Sequence, residues 1–278
     1  MVLHETWPVI GTGDDFVEVA QHLAAVADAE RKGVFSGEEV SEFGAGFIVE
    51  EDALGPAFAS PEHVAITESA ARGETSTIEF GTAVVPTWPR HPHALAASAL
   101  ASQAAVGGRL VLGLGLDHKI PVEGSWKMEW KKPIRHMIDY LDVLLPLLET
   151  GEAHHEGEVF SYEGKSERIT DDPPSVMLAA LGDQMLKIAG KRTDGTILWC
   201  VGPKTLEQQI VPGITAAADS AGRKAPRVIC SLPVWVTDRP DEARAMVAKS
   251  LTIYGQLPSY RAMLDIEGVE GPADISLI

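Results

Sequence analysis

The chain has 278 residues, of which 45% are hydrophobic and 23% charged, proportions typical of a folded globular protein and unlike those of a disordered or fibrous one. Its formal net charge of -17 repels phosphate backbones and anionic lipid headgroups, so we expect neither nucleic acid nor membrane surfaces among its partners. The length suits one barrel of strand-helix units, and we predict a single domain over residues 1–278.

The cysteines and the first residues of the chain indicate the cellular compartment of the protein. Cys200 and Cys230 lie in apolar segments with no metal-ligand spacing around them, which indicates small buried side chains in a reducing compartment. The opening residues, MVLHETWPVIGTGDD, lack a basic segment followed by a long apolar one, and no run of about 18 apolar residues occurs. We therefore expect a cytoplasmic protein without an export or membrane signal.

The N-terminal part of the chain divides poorly into elements. Residues 7–11 predict a strand, residues 14–33 a helix capped by Asp14, and residues 44–51 a second strand. The segment 34–43 fits neither pattern.

From Thr75 onward, short apolar runs alternate with amphipathic stretches, which is the pattern of repeated strand-helix units on a parallel sheet. The predicted strands are 76–85, 109–116, 175–182, 193–202 and 225–238. The predicted helices are 91–108, 131–151, 183–192, 203–223, kinked at Pro212, and 239–264. Residues 156–174 are polar and rich in turn residues, which predicts a long excursion with a small hairpin.

The strand count favours an α/β fold of the (β/α)8 TIM-barrel type, with its eighth unit incomplete. Residues 273–278 are predicted as a final strand with no helix after it. Either the last helix is absent from this chain or another chain covers that seam. Because uncovered strand edges and apolar helix faces favour association, we predict a homodimer.

The stretch GGRLVLGLGLDHK contains two glycines that could belong to a dinucleotide-binding fingerprint. That fingerprint needs a third glycine opening a helix, whereas here Gly113 and Gly115 are followed by Asp117, His118 and a loop with a proline. In a barrel, glycines at the carboxyl end of a strand let a flat ring or a substrate approach the backbone closely. The alternative is that these glycines only relieve crowding at the barrel rim.

Several segments, in order and at compatible spacing, resemble the luciferase-like flavin and deazaflavin oxidoreductases. The matching segments are TSTIEFGTAVVPTWPRHP, GGRLVLGLGLDHK, EGSWKMEWKKPIRHMIDYLDVLLPLL, VMLAALGDQMLKIAGKRTDGTILWCVGPKT and LPSYRAML. Within that superfamily they are most similar to the actinobacterial branch that uses coenzyme F420. The resemblance runs from about residue 75 to the end of the chain, while the preceding residues match poorly.

The resemblance implies a cofactor ring at the carboxyl ends of the barrel strands. GTAVV matches the family's third strand, where a bulge, often with a non-prolyl cis peptide, backs the ring. By that match, Thr82, Ala83 and Val84 lie against the cofactor, and Gly113 and Gly115 lie at the mouth of the fourth strand. The alternative is an ordinary buried strand.

The resemblance also implies a phosphate site in LAALGDQML. There the amides of Gly182, Asp183 and Gln184 would face an anion at the positive end of a helix. The Asp183 carboxylate would repel a phosphate unless it points outward as a cap, so we assign the binding to the backbone donors. A plain strand-to-helix turn would look the same in sequence.

Two residues are candidates for catalysis and one aromatic residue for a wall of the site. His118 can carry a proton near neutral pH, and Glu50, at the end of the second predicted strand, stands where related deazaflavin enzymes place polar groups. Trp126, like Trp130, lies in a loop where no core demands it, which suits a wall for a flat ligand or a pin that holds the loop. We expect Arg135 and His136 to face solvent or to pair with Asp139.

These expectations combine into one function and two alternatives. We predict an oxidoreductase that transfers a hydride between reduced coenzyme F420 and a small organic substrate. The alternatives are an FMN-dependent monooxygenase of the same fold and a non-catalytic barrel subunit. We expect no metal site, because the sequence has no metal-ligand motif and its paired histidines, 91 with 93 and 154 with 155, resemble ligands only superficially.

Overall fold

The computed structural model describes residues 2–4, 46–49, 79–233 and 237–276, with side chains from residue 79 onward. The predicted strand 7–11, the predicted helix 14–33 and the candidate Glu50 lie outside the described residues. The described residues fall into two compact units, one of residues 47–49 and 79–179, and one of residues 2–4, 46, 180–233 and 237–276.

The elements follow one another in the alternation that the sequence predicts. The strands are Val2–His4 (β1), Gly46–Val49 (β2), Phe80–Thr82 (β3), Val85–Pro86 (β4), Leu110–Gly115 (β5), Glu152–Glu156 (β6), Ser161–Lys165 (β7), Ser175–Ala179 (β8), Gly195–Trp199 (β9) and Arg227–Ser231 (β10). The α-helices are Pro92–Ala105 (α1), Lys119–Gly124 (α2), Pro133–Glu149 (α3), Asp183–Arg192 (α4), Pro203–Thr205 (α5), Val211–Ser220 (α6), Pro240–Ser250 (α7) and Pro258–Glu267 (α8). No helix among these is both long and apolar enough to cross a membrane.

In the first unit, β2 pairs with β3, both β3 and β4 pair with β5, and β5 pairs with β8, all in parallel. Strand β5 is buried along its whole length, as expected for a central strand of a parallel sheet that is covered on both faces. Helix α3 buries one side, including Met137, Leu141 and Leu144, because its apolar residues recur at helical spacing. The predicted hairpin is confirmed, since β6 and β7 pair antiparallel.

In the second unit, β9 and β10 pair in parallel, and α4 packs against α6. Gly190 permits this close packing, because a Cβ there would overlap the carbonyl oxygen of Ile214 and lie 2.8 Å from the Cβ of Ala217. Between α5 and α6 the chain forms a π-helical turn over Leu206–Ile210. Pro212 follows at once and has no N–H to donate, so the predicted interruption occurs as a π turn ahead of the proline.

Two predicted elements are wrong. The segment 239–264, predicted as one helix, forms helices Pro240–Ser250 and Pro258–Glu267 with a 3-10 turn over Tyr254–Gln256 between them, because Leu257 before Pro258 is extended. Residues 273–276 were expected to begin a final strand, but Pro272–Ile275 form a 3-10 helix. The Asp274 carboxylate accepts hydrogen bonds from the backbone N–H groups of Glu270 and Gly271, at 3.1 and 2.9 Å, which closes a turn there. A proline at the first helical position adds to this local preference, which outweighs the apolar composition of the segment.

Candidate active site

The edge strand beside β5 carries a bulge. Gly81 pairs with Val111 and Val85 pairs with Leu114, so four steps along β3 and β4 span three steps along β5. One residue is therefore extra on the bulged strand, and the peptide between Ala83 and Val84 is cis. The predicted bulge and cis peptide are confirmed.

The side chain of Thr82 bridges the interruption in the ladder. Its Oγ1 donates to the carbonyl oxygen of Gly113 at 2.9 Å and accepts from the N–H of Gly113 at 2.9 Å. Because strand N–H and C=O groups need partners when buried, one hydroxyl here replaces the backbone groups that the bulge displaces. Thr82 and Gly113, both predicted site residues, are thus joined directly.

Gly115 and Val84 are also in contact. A Cβ built on Gly115 would overlap the Cγ2 methyl of Val84 and lie 3.6 Å from the Cβ of Ala179. The absence of a side chain at Gly115 therefore makes room for the bulge. Gly115 shapes this end of β5 through Val84.

Asp117 and His118 follow the carboxyl end of β5. Asp117 has a φ of 61°, a left-handed conformation that is uncommon for a residue with a side chain, and its Oδ1 accepts the N–H of His118 at 2.6 Å. Burial raises the pKa of Asp117, against the opposing effects of that hydrogen bond and of His118. Burial lowers the pKa of His118, against the opposing charge of Asp117. Two neighbouring ionisable groups with shifted pKa values thus follow the end of the central strand, which makes them candidates for a functional site.

Sequence reasoning missed an aromatic cluster next to the bulged strand. His136 was expected to face solvent or pair with Asp139, and this is wrong: its side chain is buried on helix α3. Its ring stacks on Trp88, with centroids 3.9 Å apart, and Trp130 lies beside Trp88 at 5.2 Å. The signal available in sequence was the helical phase of His136, which lies four residues before Tyr140 and seven before Val143, both buried.

Trp126 lies in the loop after α2, where its backbone N–H donates to the carbonyl oxygen of Pro121 at 3.0 Å. Its side chain is half-buried between exposed neighbours. This position is compatible with a wall for a ligand and with a pin for the loop, so its role stays a prediction.

In the second unit, helix α4 begins as predicted and its N-terminus is open. Gly182 is the N-cap in an extended conformation, and no side chain among the described residues caps the helix. A Cβ built on Gly182 would have no other described atom within 4 Å. Gly182, Asp183 and Gln184 are exposed, so the amides assigned to an anion lie together at an accessible helix end.

The next helix start in this unit differs, because a side chain fills it. Glu267 accepts hydrogen bonds at Oε1 from the backbone N–H and the hydroxyl of Thr205, both at 2.6 Å. A Cβ on Gly202 would overlap the Glu267 carboxylate. Glu267, on α8, therefore satisfies the start of α5, and of these two helix starts only that of α4 is accessible to an external anion.

Two buried polar groups at the carboxyl ends of β9 and β10 have no hydrogen-bond partner among the described residues. They are the indole Nε1 of Trp199 and the hydroxyl of Ser231, which occupy paired positions in the two strands. Cys200, directly after Trp199, is buried with a φ of 51°. Unpartnered polar atoms at strand ends are what a ligand with polar edges would satisfy.

The hairpin histidine His155 lies beside two carboxylates, a group with metal-ligand composition. Its Nε2 lies 3.2 Å from Oδ1 of Asp139, and its Nδ1 lies 3.8 Å from Asp142. The guanidinium of Arg135 already lies 2.5 Å from the same Asp139 oxygen, and this positive charge opposes a cation at that place. We interpret the group as an ion-pair network, and the expectation of no metal site stays a prediction.

A model of the luciferase-like monooxygenase family matches residues 44–276. The chain belongs to this family. The 5,10-methylenetetrahydromethanopterin reductase of Archaeoglobus fulgidus is 28% identical over 192 residues, covering 67% of this chain and 57% of the reductase. This chain spans between 54% and 62% of the length of several curated relatives.

Solved structures agree on the fold. The coenzyme F420 dependent tetrahydromethanopterin reductase of Methanopyrus kandleri superposes with a TM-score of 0.62 at 18% identity, covering 81% of this chain and 75% of that one. The FMN-bound oxygenating constituent of 3,6-diketocamphane monooxygenase from Pseudomonas putida gives a TM-score of 0.61 at 17% identity, covering 83% and 71%. The predicted α/β fold of the (β/α)8 barrel type is thereby confirmed. One of these two neighbours is named for coenzyme F420 and the other is bound to FMN.

Proposed function

We propose that this protein transfers a hydride between reduced coenzyme F420 and a small organic substrate. The likeness to reductases named for tetrahydromethanopterin and F420 supports this choice within the family. The observation that carries the proposal is the open N-terminus of α4, where the amides of residues 182–184 have no side-chain cap. An anionic tail is the ligand that such a helix end favours.

Each unit carries groups that suit one part of a deazaflavin with an anionic tail. The bulge at Thr82, Ala83 and Val84, with Gly113 and Gly115 beside it, would hold the ring, and Trp126 would supply one wall. The amides of Gly182, Asp183 and Gln184 would bind the phosphate. The unpartnered Trp199 and Ser231 atoms add polar groups that a ligand could satisfy. When bound, reduced F420 supplies the hydride. The chain binds and orients the cofactor and excludes water from the site.

Hydride addition to a carbonyl or an imine also requires a proton, which this chain can supply. His118 is the proposed donor, and Asp117, whose carboxylate holds the His118 backbone N–H, is its partner. The lowered pKa of His118 makes its protonated ring a stronger acid than an unperturbed imidazolium, while the charge of Asp117 favours that protonated form. Glu50 stays a second predicted catalytic residue outside the described part of the chain.

A second candidate is an FMN-dependent monooxygenase. The likeness to the FMN-bound Pseudomonas enzyme, as close in TM-score as that to the F420 reductase, favours it. FMN also ends in a phosphate, so the helix start at Gly182 serves both cofactors.

Cofactor titration distinguishes these functions. Purified protein is titrated with F420 and, separately, with FMN, and the Kd is measured from cofactor fluorescence together with the shift in melting temperature. We expect a saturable response to F420 and a weaker one to FMN. Tight FMN binding without a response to F420 would establish the monooxygenase, and no response to either would favour the non-catalytic subunit.

A pair of variants tests the helix amides themselves. Asp183→Pro removes the N–H of residue 183, and the site accepts proline because it is the first helical position and Gly182 is extended, with φ -91° and ψ 154°. Asp183→Ala is the matched control, which loses the same carboxylate and keeps the N–H. We expect F420 to bind about tenfold more weakly to the proline variant than to the alanine variant. Equal affinities would contradict the phosphate assignment.

Other properties of the whole protein stay proposals. We propose a homodimer in the cytoplasm that acts on a small molecule, with no nucleic acid and no membrane among its partners. Sedimentation of a monomer at micromolar concentration would contradict the dimer.

A further inference from the structure

The first residue of helix α4 brings a negative charge to the end of the helix that the proposed function assigns to a phosphate. Asp183 is the first residue of the helix, so its negative charge lies close to the free amides of the first turn. A carboxylate at that place would occupy the donors and repel an anionic ligand. Binding of the cofactor tail therefore depends on where this side chain is held.

Gln209 contacts both sides of this helix start. Its Nε2 donates to the carbonyl oxygen of Leu181 at 3.3 Å and to Oδ1 of Asp183 at 3.5 Å. One amide nitrogen with two hydrogens thus bridges the residues on either side of Gly182. The Asp183 side chain lines a groove between α4 and α6, together with Lys187 and Gly213. These contacts turn the carboxylate toward α6 and leave the space at Gly182 open.

The π turn explains why Gln209 is available for this contact. It occupies Leu206–Ile210, directly before the helix that carries Gly213. A π turn changes the direction of the side chains within it relative to a continuous α-helix, and such turns recur at functional sites. Gln209 is half-buried on this turn, whereas its neighbour Gln208 is exposed.

We propose that Gln209 is a positioning residue for the anionic tail of the cofactor. It holds the Asp183 carboxylate away from the amides of residues 182–184, and so sets the preference for a cofactor with a phosphate over one without it. This inference rests on the proposed function, because the phosphate is the group whose binding Gln209 protects.

The test compares two ligands that differ in the tail: F420 and the deazaflavin riboside that lacks the phosphodiester. The variants are Gln209→Leu, which loses the amide, Asp183→Asn, the two changes combined, and Gln208→Leu as the matched control on the same turn. Each Kd is measured by cofactor fluorescence, and each melting temperature is recorded without ligand. A role in folding alone would change both Kd values together.

We expect Gln209→Leu to weaken F420 binding about tenfold and to leave the tail-less ligand within about twofold of the unmodified protein. The added Asp183→Asn change should restore F420 binding, because it removes the charge that Gln209 restrains. If Gln209→Leu does not fold, Gln209→Glu replaces it, and a larger loss of F420 affinity is expected because a second carboxylate then lies there.

Three results would overturn the inference. They are equal losses for both ligands, no recovery in the double variant, and a loss of F420 affinity of about tenfold or more in Asp183→Asn alone, which would make the carboxylate itself a ligand. An unmodified protein that binds F420 no better than the tail-less ligand would instead reject the phosphate site and the proposed function with it.

Discussion

The Nε2 atom of His136 lies 3.0 Å from the hydroxyl oxygen of Thr87, and both side chains are at most 1% exposed. Thr87 directly follows strand β4, and its N–H donates to the carbonyl oxygen of Gly115 at 3.0 Å. Helix α3 is thereby linked through one imidazole to the end of the bulged strand. The Nδ1 atom of His136 has no partner among the described residues. A neutral ring with its proton on Nε2 leaves only an acceptor unpaired, which costs less than an unpaired buried donor.

The His136 ring makes stability depend on pH in a defined window. Burial lowers the pKa of His136 from 6.5 to about 4, against the opposing charge of Asp139. Between these values the unfolded chain binds a proton at this position and the folded chain does not, so stability falls as the pH falls. The contribution is at most about 3 kcal/mol. As the pH is lowered from 6.5 to 4, we expect the free energy of unfolding to fall less in His136→Asn than in the unmodified protein, as measured by urea unfolding.

The control for this prediction is His154→Asn, which removes a histidine with a side chain that is 60% exposed. Its unfolding free energy should follow the pH dependence of the unmodified protein. Equal slopes for His136→Asn and the unmodified protein would contradict the assignment.

The Thr82 hydroxyl offers a second test. Thr82→Val keeps the shape of the side chain and removes both hydrogen bonds to Gly113, which leaves a backbone N–H and a C=O without their partner beside the bulge. We expect a loss of about 1–3 kcal/mol in the free energy of unfolding and weaker binding of F420. Thr82→Ser keeps the hydroxyl and should lose less than half as much. A serine variant as unstable as the valine variant would show that the methyl group, and not the hydroxyl, supports the bulge.

The alternation of strands and helices was predictable because it depends on local periodicity. The apolar run before Gly113 and the helical spacing in residues 133–149 each encode their element within one segment. The bulge at Ala83 was predictable only by resemblance to a family, since no spacing rule marks a cis peptide. The final strand at residues 273–278 was predicted wrongly, because the carboxylate of Asp274 and Pro272 decide the local conformation there.

Contacts between distant residues were beyond the reach of sequence reasoning. Glu267 accepts a backbone N–H at the start of α5 from a residue 62 positions away in sequence. His136 contacts Thr87, which is 49 positions away. His136 lies in a segment that resembles the family, but neither it nor Glu267 carries a sequence signal that names its partner, which only the fold brings near. The residue at which helix α4 begins was predicted correctly, but the filled start of α5 depends on Glu267, which is distant in sequence.

Asp139 connects helix α3 to the turn of the hairpin and supports a third prediction. Its Oδ2 accepts the N–H of Val159 at 2.7 Å, and its Oδ1 lies 2.5 Å from the Arg135 guanidinium. Burial raises the pKa of Asp139, but the hydrogen bonds from Val159, Arg135 and His155 outweigh it, so the pKa lies below its ordinary value. Asp139→Asn should lower the free energy of unfolding by about 1–3 kcal/mol, because it removes the buried negative charge that accepts these hydrogen bonds while the partly exposed Arg135 guanidinium stays solvated.

The hairpin should report this change directly. Amide hydrogen exchange at Val159 is expected to accelerate in Asp139→Asn, while Glu163→Gln, on a side chain that is 86% exposed in the same hairpin, should leave it unchanged. Because the folded pKa of Asp139 is lowered, its stabilising contribution is complete above the ordinary aspartate pKa and is lost as the pH falls through the lowered value. An unchanged exchange rate at Val159 in Asp139→Asn would show that other contacts hold the hairpin turn.

The fit between Gly115 and Val84 supports a fourth prediction, in which a second change rescues the first. Gly115→Ala would bring a Cβ into the Cγ2 methyl of Val84, so we expect it to cost about 1–3 kcal/mol of unfolding free energy and to displace the bulge. Val84→Ala alone removes a half-buried methyl pair and should cost less. In the double variant the new methyl at position 115 fills space that the smaller residue vacates, so its loss should be smaller than the sum of the two single losses. Measured by urea unfolding, additive losses would show that the two positions do not share this space, and Gly115 would then be required for its backbone alone.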